Sequence, residues 1–273
     1  MAYRTILVNI DIDGPIAPVV NTATGFARAH DAKLIGLCAA DAPMPTGGPD
    51  AAGLMVDAWM QMRDFIEERL KEVRAEFERL AAGSGEIEWR QALAGPTRAM
   101  VEAARSADVL VMAAAEGAAT GNAYRVADPA GVVLRAGRPL LVVAGNAGYR
   151  QARKIVVAWK DAREARRAVA DAVPLLAAAE EVIVVTVASE IGEGVRAGVN
   201  DAVSFLAGHG IAARPELIER GDESAALFEF IGRSGAELVV SGAYGHSRLR
   251  EWAFGGVTRS LLDETGLNRF MSS

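Results

Sequence analysis

The sequence contains little cysteine and little histidine. Cys38 is the single cysteine among 273 residues, which excludes a disulfide framework and a site ligated by several cysteines. It lies in an apolar run, and we expect an inert buried thiol. The three histidines are far apart, and no H-E-x-x-H or Ser-His-Asp pattern accompanies them. We therefore predict no metal ligands and no catalytic residues. His30 and His209 fall near predicted helix ends, where an imidazole commonly acts as a C-terminal capping group.

Basic charge is also scarce, and long apolar runs are missing. The net charge is −6, whereas a nucleic-acid-binding protein needs a basic patch. The first apolar run is interrupted by Asn9, Asp11 and Asp13, unlike a signal peptide. No run approaches the roughly 20 apolar residues of a membrane-spanning helix. We therefore expect no nucleic-acid partner, no membrane and a soluble cytoplasmic protein.

Apolar residues are abundant, and they alternate between strand and helix patterns. Hydrophobic residues make up 51% of the chain, and a length of 273 residues suggests two domains. Ten short apolar runs predict strands, with helices between them, which indicates parallel sheets covered by helices. The predicted strands are 4–10, 33–39, 87–93, 108–112, 139–143, 154–159, 182–187, 213–218, 238–240 and a short, weak last strand at 269–271.

The second half of the chain repeats the first. The stretch ARSADVLVMAA in the first half has a counterpart, GRSGAELVVSGA, at 232–243. Such self-similarity indicates a tandem duplication. We predict an α/β protein of two tandem, doubly wound, Rossmann-like domains, at 1–146 and 150–273, with a linker at 145–152.

A glycine-spaced stretch follows the predicted strand of 238–240. Its glycines are Gly242, Gly245, Gly255 and Gly256, and a helical pattern begins after them. Backbone N–H groups at glycines and at a helix N-terminus favour an anion, and Thr258 can add a hydroxyl donor. The alternative is a surface loop whose glycines serve turn geometry alone. The stretch is neither a Walker A motif nor a G-x-G-x-x-G fingerprint.

The spacing Gly-x2-Gly-x9-Gly resembles the ATP-binding signature of the universal stress proteins. Gly242, Gly245 and Gly255 match it, whereas Gly256 stands where that family usually has Ser or Thr. The resemblance covers nearly the whole chain and is weakest at 42–53 and after Thr265. It implies adenine nucleotide alpha hydrolase-like domains, and halves that pair through their last strands. It also implies a homodimer, an ATP ligand with or without Mg²⁺, and a regulatory role in stress response.

The resemblance also implies where adenosine and phosphate would lie. The family holds adenosine with an acid after the first strand of a domain and a backbone group near the end of the second. Here those positions are Lys160, which is not an acid, and Val187. Lys160 is either a solvated loop lysine or a group that neutralises phosphate, and Asp161 is either a substitute acid or a helix N-cap. The predicted nucleotide-binding residues are Ala158, Trp159, Lys160, Val187, Ser241, Gly242, Gly245, His246, Gly255, Gly256, Val257 and Thr258.

The first half has diverged in the opposite way. It keeps the acid, Asp11, but its loop has Ala118 in place of a glycine before Gly121 and Gly131. We therefore expect this half to be mainly structural or to hold a different ligand, and we expect one ATP per chain.

Two other functions and one apolar cluster remain open at this point. The rival functions are a slow ATPase and a scaffold that holds an apolar ligand without nucleotide. Near the start of the long predicted helix at 54–82, we expect a set of large apolar residues to form core or domain contacts, with an adaptable apolar pocket or partner surface as the alternative. These residues are Leu54, Met55, Trp59, Met60 and Met62.

Overall fold

A computed structural model of the chain describes residues 2–43, 52–114, 122–145, 149–243, 256–264 and 266–273. The predicted site residues Gly245, His246 and Gly255 lie outside these ranges, as do Ala118 and Gly121 of the first half. Among the described residues, no helix has both the length and the apolar character needed to cross a bilayer.

Strands and helices alternate along both halves. In the first half the elements are β1 (Thr5–Asn9), α1 (Ile16–His30), β2 (Lys33–Ala40), α2 (Ala52–Leu80), β3 (Ile87–Leu93), α3 (Pro96–Ala103), β4 (Val109–Ala113), α4 (Pro129–Arg135) and β5 (Leu140–Val143). In the second half they are β6 (Lys154–Ala158), α5 (Arg163–Leu176), β7 (Glu181–Ala188), α6 (Glu193–Gly208), β8 (Ala213–Glu219), α7 (Glu223–Ser234), β9 (Leu238–Gly242), α8 (Gly256–Asp263) and β10 (Asn268–Ser272).

The strands of each half follow the same spatial order. The whole sheet runs β3-β2-β1-β4-β5-β10-β9-β6-β7-β8. Neighbouring strands are parallel within each half, and the two halves meet where β5 and β10 pair antiparallel. From its outer edge inward, each half therefore presents its third, second, first, fourth and fifth strand. This repetition confirms the predicted tandem, doubly wound α/β fold.

The pairing of the last strands makes the sheet continuous. Phe270 lies opposite Leu141 and Met271 opposite Leu140, as expected for halves that pair through their last strands. The two halves therefore share one ten-stranded sheet, because β5 and β10 pair with each other. The expectation of a short, weak last strand is wrong, since β10 has five residues and sits in the middle of the sheet. The division into domains at 1–146 and 150–273 stays a prediction.

Side chains that alternate along the strands pack into two core layers, one on each face of the sheet. In β1, Ile6 and Val8 contact the layer beneath α1, α2, α5 and α6, whereas Leu7 contacts the layer on the opposite face with α3, α4, α7 and α8. This alternation is the period of two that a pleated strand imposes. Both layers run through the two halves without a break, which is why β10 can be almost wholly buried.

Polar contacts cross the junction between the halves. The Tyr3 hydroxyl, before β1, donates to the Asp171 carbonyl oxygen of α5 at 2.6 Å. The Ser273 hydroxyl, after β10, donates to the Val133 carbonyl oxygen of α4 in the first half at 2.8 Å. Burial, and then the Asp171 carboxylate, raise the pKa of the Tyr3 hydroxyl, which therefore stays a donor. Tyr149 of the linker packs on α1 at Gly25, where an added Cβ would lie 2.5 Å from the Tyr149 Cβ.

The first turns of α2 depart from the expected core packing. Leu54 is 80% exposed, Met60 54% and Met62 47%, so the interpretation of these residues as core is wrong. Trp59 is half-buried and packs against the core, with its indole nitrogen donating to the Ala42 carbonyl oxygen at 3.2 Å. Further along the helix, the side chains buried in the core are Ile66, Leu70, Val73 and Phe77. The wide apolar stripe at the helix start therefore lies partly in solvent.

We predict that the two halves unfold in one transition and that Tyr3→Phe destabilises both of them. The continuous sheet couples the halves, and the substitution leaves the buried Asp171 carbonyl with one donor fewer. The free energy of unfolding should fall by about 0.5–1.5 kcal/mol. Urea denaturation followed by circular dichroism measures both effects. Tyr124→Phe, at an exposed tyrosine, is the matched control and should change little. Two separate transitions in the unmodified protein would contradict the coupling.

Candidate functional site

A crevice at the carboxyl ends of β6 and β9 brings together those predicted site residues that lie at the two strand ends. The two strands are parallel neighbours, with Ala158 opposite Ser241 in the register. The chain leaves β6 toward β7 and β8 on one side and returns to β9 on the other, so this is the point where the strand order reverses. Ligands of doubly wound sheets bind beyond the strand ends at such a point. The structure thus places Lys160 next to the strand that leads into the glycine-spaced stretch.

Lys160 forms an exposed ion pair at this crevice. Its ammonium nitrogen lies 2.9 Å from the Glu223 Oε2 in the first turn of α7. The two side chains are 57% and 36% exposed, and pairs in that environment contribute about 0–1 kcal/mol. The ammonium is therefore held in place weakly, and it can exchange its partner for another anion at little cost.

The residue after Lys160 does not cap α5. The cap position is Ala162, with no side-chain cap, and the carboxylate of Asp161 instead accepts a hydrogen bond from Arg166 at 2.6 Å. The interpretation of Asp161 as a helix N-cap is therefore wrong. The side chain is exposed, on the side of the sheet where α5 and α6 pack.

Trp159 and Val187 take different positions from each other. The Trp159 indole is buried in the layer of α5 and α6, whereas its backbone N–H donates to the Val185 carbonyl oxygen at 2.8 Å. The Thr186 hydroxyl donates to the Trp159 carbonyl oxygen at 2.8 Å. Val187, at the end of β7, is half-buried against the opposite layer. The backbone of Trp159 therefore lies at the strand end, while its side chain points into the core.

Gly242 is required by packing between β9 and α5. A Cβ at this position would lie 2.6 Å from the Ala165 backbone nitrogen and 2.7 Å from the Glu164 carbonyl carbon. Neither backbone atom can move without displacing the first turn of α5. The first glycine of the signature thus allows a helix to approach the strand, and Ser241 beside it is buried, with its hydroxyl donating to the Gly242 carbonyl oxygen at 2.9 Å.

Helix α8 begins at Gly256, where the helical pattern was predicted to start. Val257 is half-buried, and Thr258 is buried with 7% exposure. Leu261, one turn later, is fully buried in the layer shared with α7. The apolar side of this short helix fixes it against the sheet, which positions Val257 and Thr258 in its first turn.

In the first half, the acid after β1 is engaged by the chain itself. One Oδ atom of Asp11 accepts hydrogen bonds from the Asn9 side-chain amide at 2.9 Å and from the Ala127 backbone N–H at 3.1 Å. Burial raises the pKa of the Asp11 carboxyl, while these two hydrogen bonds act in the opposite direction. The carboxylate at the position expected to hold adenosine therefore already has partners in the chain itself.

Residues 122–127, here called the covering segment, make three contacts with two strand-end loops of the first half. Besides the Ala127 contact, Arg125 pairs with Asp13 in the β1–α1 loop, at 2.8 Å between Nη2 and Oδ1. The Tyr124 carbonyl oxygen accepts from the Asp41 N–H after β2 at 2.8 Å. The Arg125 hydrogen bond lowers the pKa of the Asp13 carboxyl, which keeps the pair charged. The crevice of the first half is thus covered by its own chain.

The single cysteine and two of the histidines have structural surroundings. Burial raises the pKa of the Cys38 thiol to about 12, in keeping with an inert thiol. His30 ends α1 and lies between the rings of Tyr3 and Phe26, with centroids 5.0 and 4.8 Å away, and burial lowers its pKa. His209 is the C-cap residue of α6. Within the described ranges, no group of three metal-ligating side chains converges.

Sequence reasoning missed two participants at the crevices. Glu223, the partner of Lys160, follows it by 63 positions, and an acid in the first turn of a helix is too common to single it out. The covering segment carries no motif, although its Tyr124 and Arg125 are large residues in an otherwise small-residue loop. That contrast was the one available signal.

Comparisons with known proteins rest on structure. No family model matches the sequence, and no curated protein matches it. A universal stress protein from Archaeoglobus fulgidus DSM 4304 superposes with a TM-score of 0.75 at 14% identity, covering 98% of this chain and 96% of its own. A functionally unknown protein from Pseudomonas aeruginosa PAO1 superposes with a TM-score of 0.60 at 17% identity, covering 99% and 92%.

The first of these matches agrees with three observations on this chain. They are the repeated strand order, the pairing of β5 with β10 and the glycine at the strand end beside β6. The chain therefore has the fold of the universal stress proteins, present twice and joined into one sheet.

Proposed function

We propose that the protein is a nucleotide-dependent regulatory protein of the universal stress type, which binds one ATP per chain at the crevice between β6 and β9. The observation that carries the proposal is the parallel pairing of these two strands at the switch point. It sets the exposed ammonium of Lys160 beside the strand that leads into Gly242, Gly245, Gly255 and Gly256. The homodimer and the role in stress response are part of the same proposal.

The residues of the second crevice suit a polyanion. Lys160 supplies a mobile positive charge, and the first turn of α8 supplies backbone N–H groups and the positive end of a helix dipole. Ala158 and Val187 lie at the ends of β6 and β7, where their backbone groups are placed for the adenosine portion, whereas the N–H and C=O of Trp159 already have partners and position the strand end. ATP would bring three phosphates to these donors, and phosphate contacts would dominate its affinity.

The first crevice is the less suitable of the two. Asp11, Asp13 and Asp41 all bind the covering segment, so a nucleotide would have to displace three contacts before it reached the strand ends. It would also meet two carboxylates, which repel phosphate. These contacts support a stoichiometry of one.

The glycines of the signature should separate by role. Gly245→Val should reduce ATP affinity at least about tenfold while the fold is kept, because a branched side chain blocks the approach of backbone N–H groups to phosphate. Gly242→Ala should instead lower the free energy of unfolding, by about 1–3 kcal/mol, since its Cβ meets the backbone of α5. Calorimetric titration and urea denaturation measure the two effects. Unchanged ATP affinity of Gly245→Val would remove this loop from the site.

Lys160→Asp should weaken ATP binding more than adenosine binding. The change replaces a cation near the phosphates with an anion, so ATP affinity should fall about tenfold or more while adenosine affinity changes by about twofold or less. Glu223→Gln is the matched control, because it frees the ammonium and should keep or raise ATP affinity. An equal loss for ATP and adenosine would place Lys160 away from the phosphates.

The full chain should bind a single ATP, and Asp11→Asn should leave that binding unchanged. The reason is that Asp11 lies in the covered crevice of the first half. Calorimetry of the intact protein, with and without Mg²⁺, gives the stoichiometry, and the same samples assayed over hours for released phosphate detect slow hydrolysis. Two ATP molecules per chain, or loss of binding in Asp11→Asn, would reverse the assignment of the halves.

A further inference from the structure

A second cavity lies on the face of the sheet covered by α5 and α6, outside the crevice proposed for ATP. Its volume is about 320 Å³, within the range of small-molecule sites. Its walls come from the end of β6 and from α5 and α6, and neither β9 nor α8 contributes to it. The glycine-spaced stretch and this cavity therefore present different surfaces of the second half.

One wall of the cavity carries a buried donor without a partner. The Trp159 side chain is 8% exposed, and its indole Nε1 has no hydrogen-bond partner. Buried polar groups are almost always hydrogen-bonded, because an unsatisfied one costs free energy. The indoles of Trp59 and Trp89, in the first half, behave differently, since both donate to protein oxygens. Trp159 lines the cavity, but its Nε1 exposes less than 1 Å², so an acceptor that enters the cavity satisfies this N–H group once the side chains around the indole shift slightly.

Gly198 of α6 keeps space open beside the indole. A Cβ at this position would lie 3.7 Å from the Trp159 Nε1 and 3.5 Å from the Asp161 Cβ, both ordinary contact distances. Alanine would therefore fit, and it would favour the helix more than glycine does. A longer side chain would extend into the cavity and fill it.

The rest of the lining favours a flat, positively charged molecule. Val169 and Ala202 form apolar walls, and Phe205 leaves 43% of its surface exposed at the rim. Among the charged residues, Asp161 is paired with Arg166, whereas Asp201 has no ion-pair partner within the part of the chain that the structure describes. One uncompensated carboxylate makes the lining net negative, which favours a cation and disfavours phosphate.

We propose that this cavity binds a small planar organic amine, with an acceptor atom on the Trp159 N–H group, its ring between Phe205 and the apolar wall, and its ammonium at Asp201. The orientation follows from where the donor, the apolar walls and the free carboxylate lie. A nucleotide does not fit this description, because its phosphates would meet Asp201 and Asp161. The site is thus independent of the one proposed for ATP.

Tyramine is a suitable probe, because it has a phenol oxygen that can accept, a planar ring and an ammonium group. In ¹⁵N-labelled protein, its addition should shift the indole N–H signal of Trp159, which is assigned by its absence in Trp159→Phe. A ligand of this size should bind with a Kd of about 1 mM or lower. 4-Hydroxyphenylacetate has the same ring with a carboxylate in place of the ammonium, and it should leave the signal in place.

Two variants test the geometry. Gly198→Leu should abolish the tyramine shift by filling the cavity, while Gly198→Ala should keep it. Asp201→Asn, an exposed substitution that leaves folding unaffected, should weaken tyramine binding about threefold or more. ATP titrations of Gly198→Leu and Asp201→Asn should match those of the unmodified protein. The proposal is overturned if tyramine gives no shift at about 10 mM, if the carboxylate analogue binds equally well, or if Gly198→Leu binds as before.

Discussion

The backbone pairing of β5 with β10 is the constraint on which the rest of the molecule depends. Each half alone would end in a strand with one row of unpaired N–H and C=O groups, and such an edge is prone to non-specific association. The two strands satisfy each other, and helices cover both faces of the join. The side chain of Arg269, which is buried, donates to the Glu264 and Leu267 carbonyl oxygens at the turn that leads into β10. The two halves differ instead in the polar contacts at their strand ends.

The two strand-end crevices share a scaffold and differ in what fills them. In the first, the half-buried Asp11 carboxylate and the pair of Arg125 with Asp13 hold the covering segment, so opening it would break these contacts together. In the second, the corresponding position carries the ion pair of Lys160 and Glu223, which solvent already screens. Rearrangement is therefore costly at one crevice and cheap at the other. This difference in cost, more than the presence of single motif residues, sets the two halves apart.

The fold was largely predictable because local patterns of apolar residues in the sequence determine its strands and helices. Apolar runs of three to seven residues predicted the strands, and the repeated order predicted the duplication. The continuous sheet was not predictable in the same way, since the β5–β10 pairing joins residues more than 120 positions apart. The exposed start of α2 was missed because apolar spacing alone does not tell which side a neighbouring element covers.

The candidate site was predictable only in part, for the same physical reason. Its glycines and the ends of β6 and β9 follow from spacing, whereas Glu223 and the covering segment reach their partners through tertiary contacts. Gly242 shows a further limit. The sequence pattern identified the position, but packing against α5 accounts for the glycine as fully as approach to a phosphate would. A motif names a residue without saying which neighbour requires it.

The antiparallel join also fixes the relative direction of the two crevices. Strands of the first half run opposite to those of the second, so the carboxyl ends of the two sets lie at opposite ends of the strands in the shared sheet. A five-residue strand is about 17 Å long, and the two sites are separated by at least that distance. A molecule bound at one set of strand ends therefore does not touch the other site. Substitutions around Asp11 therefore have no direct steric effect at Lys160, so the two strand ends can change independently of each other.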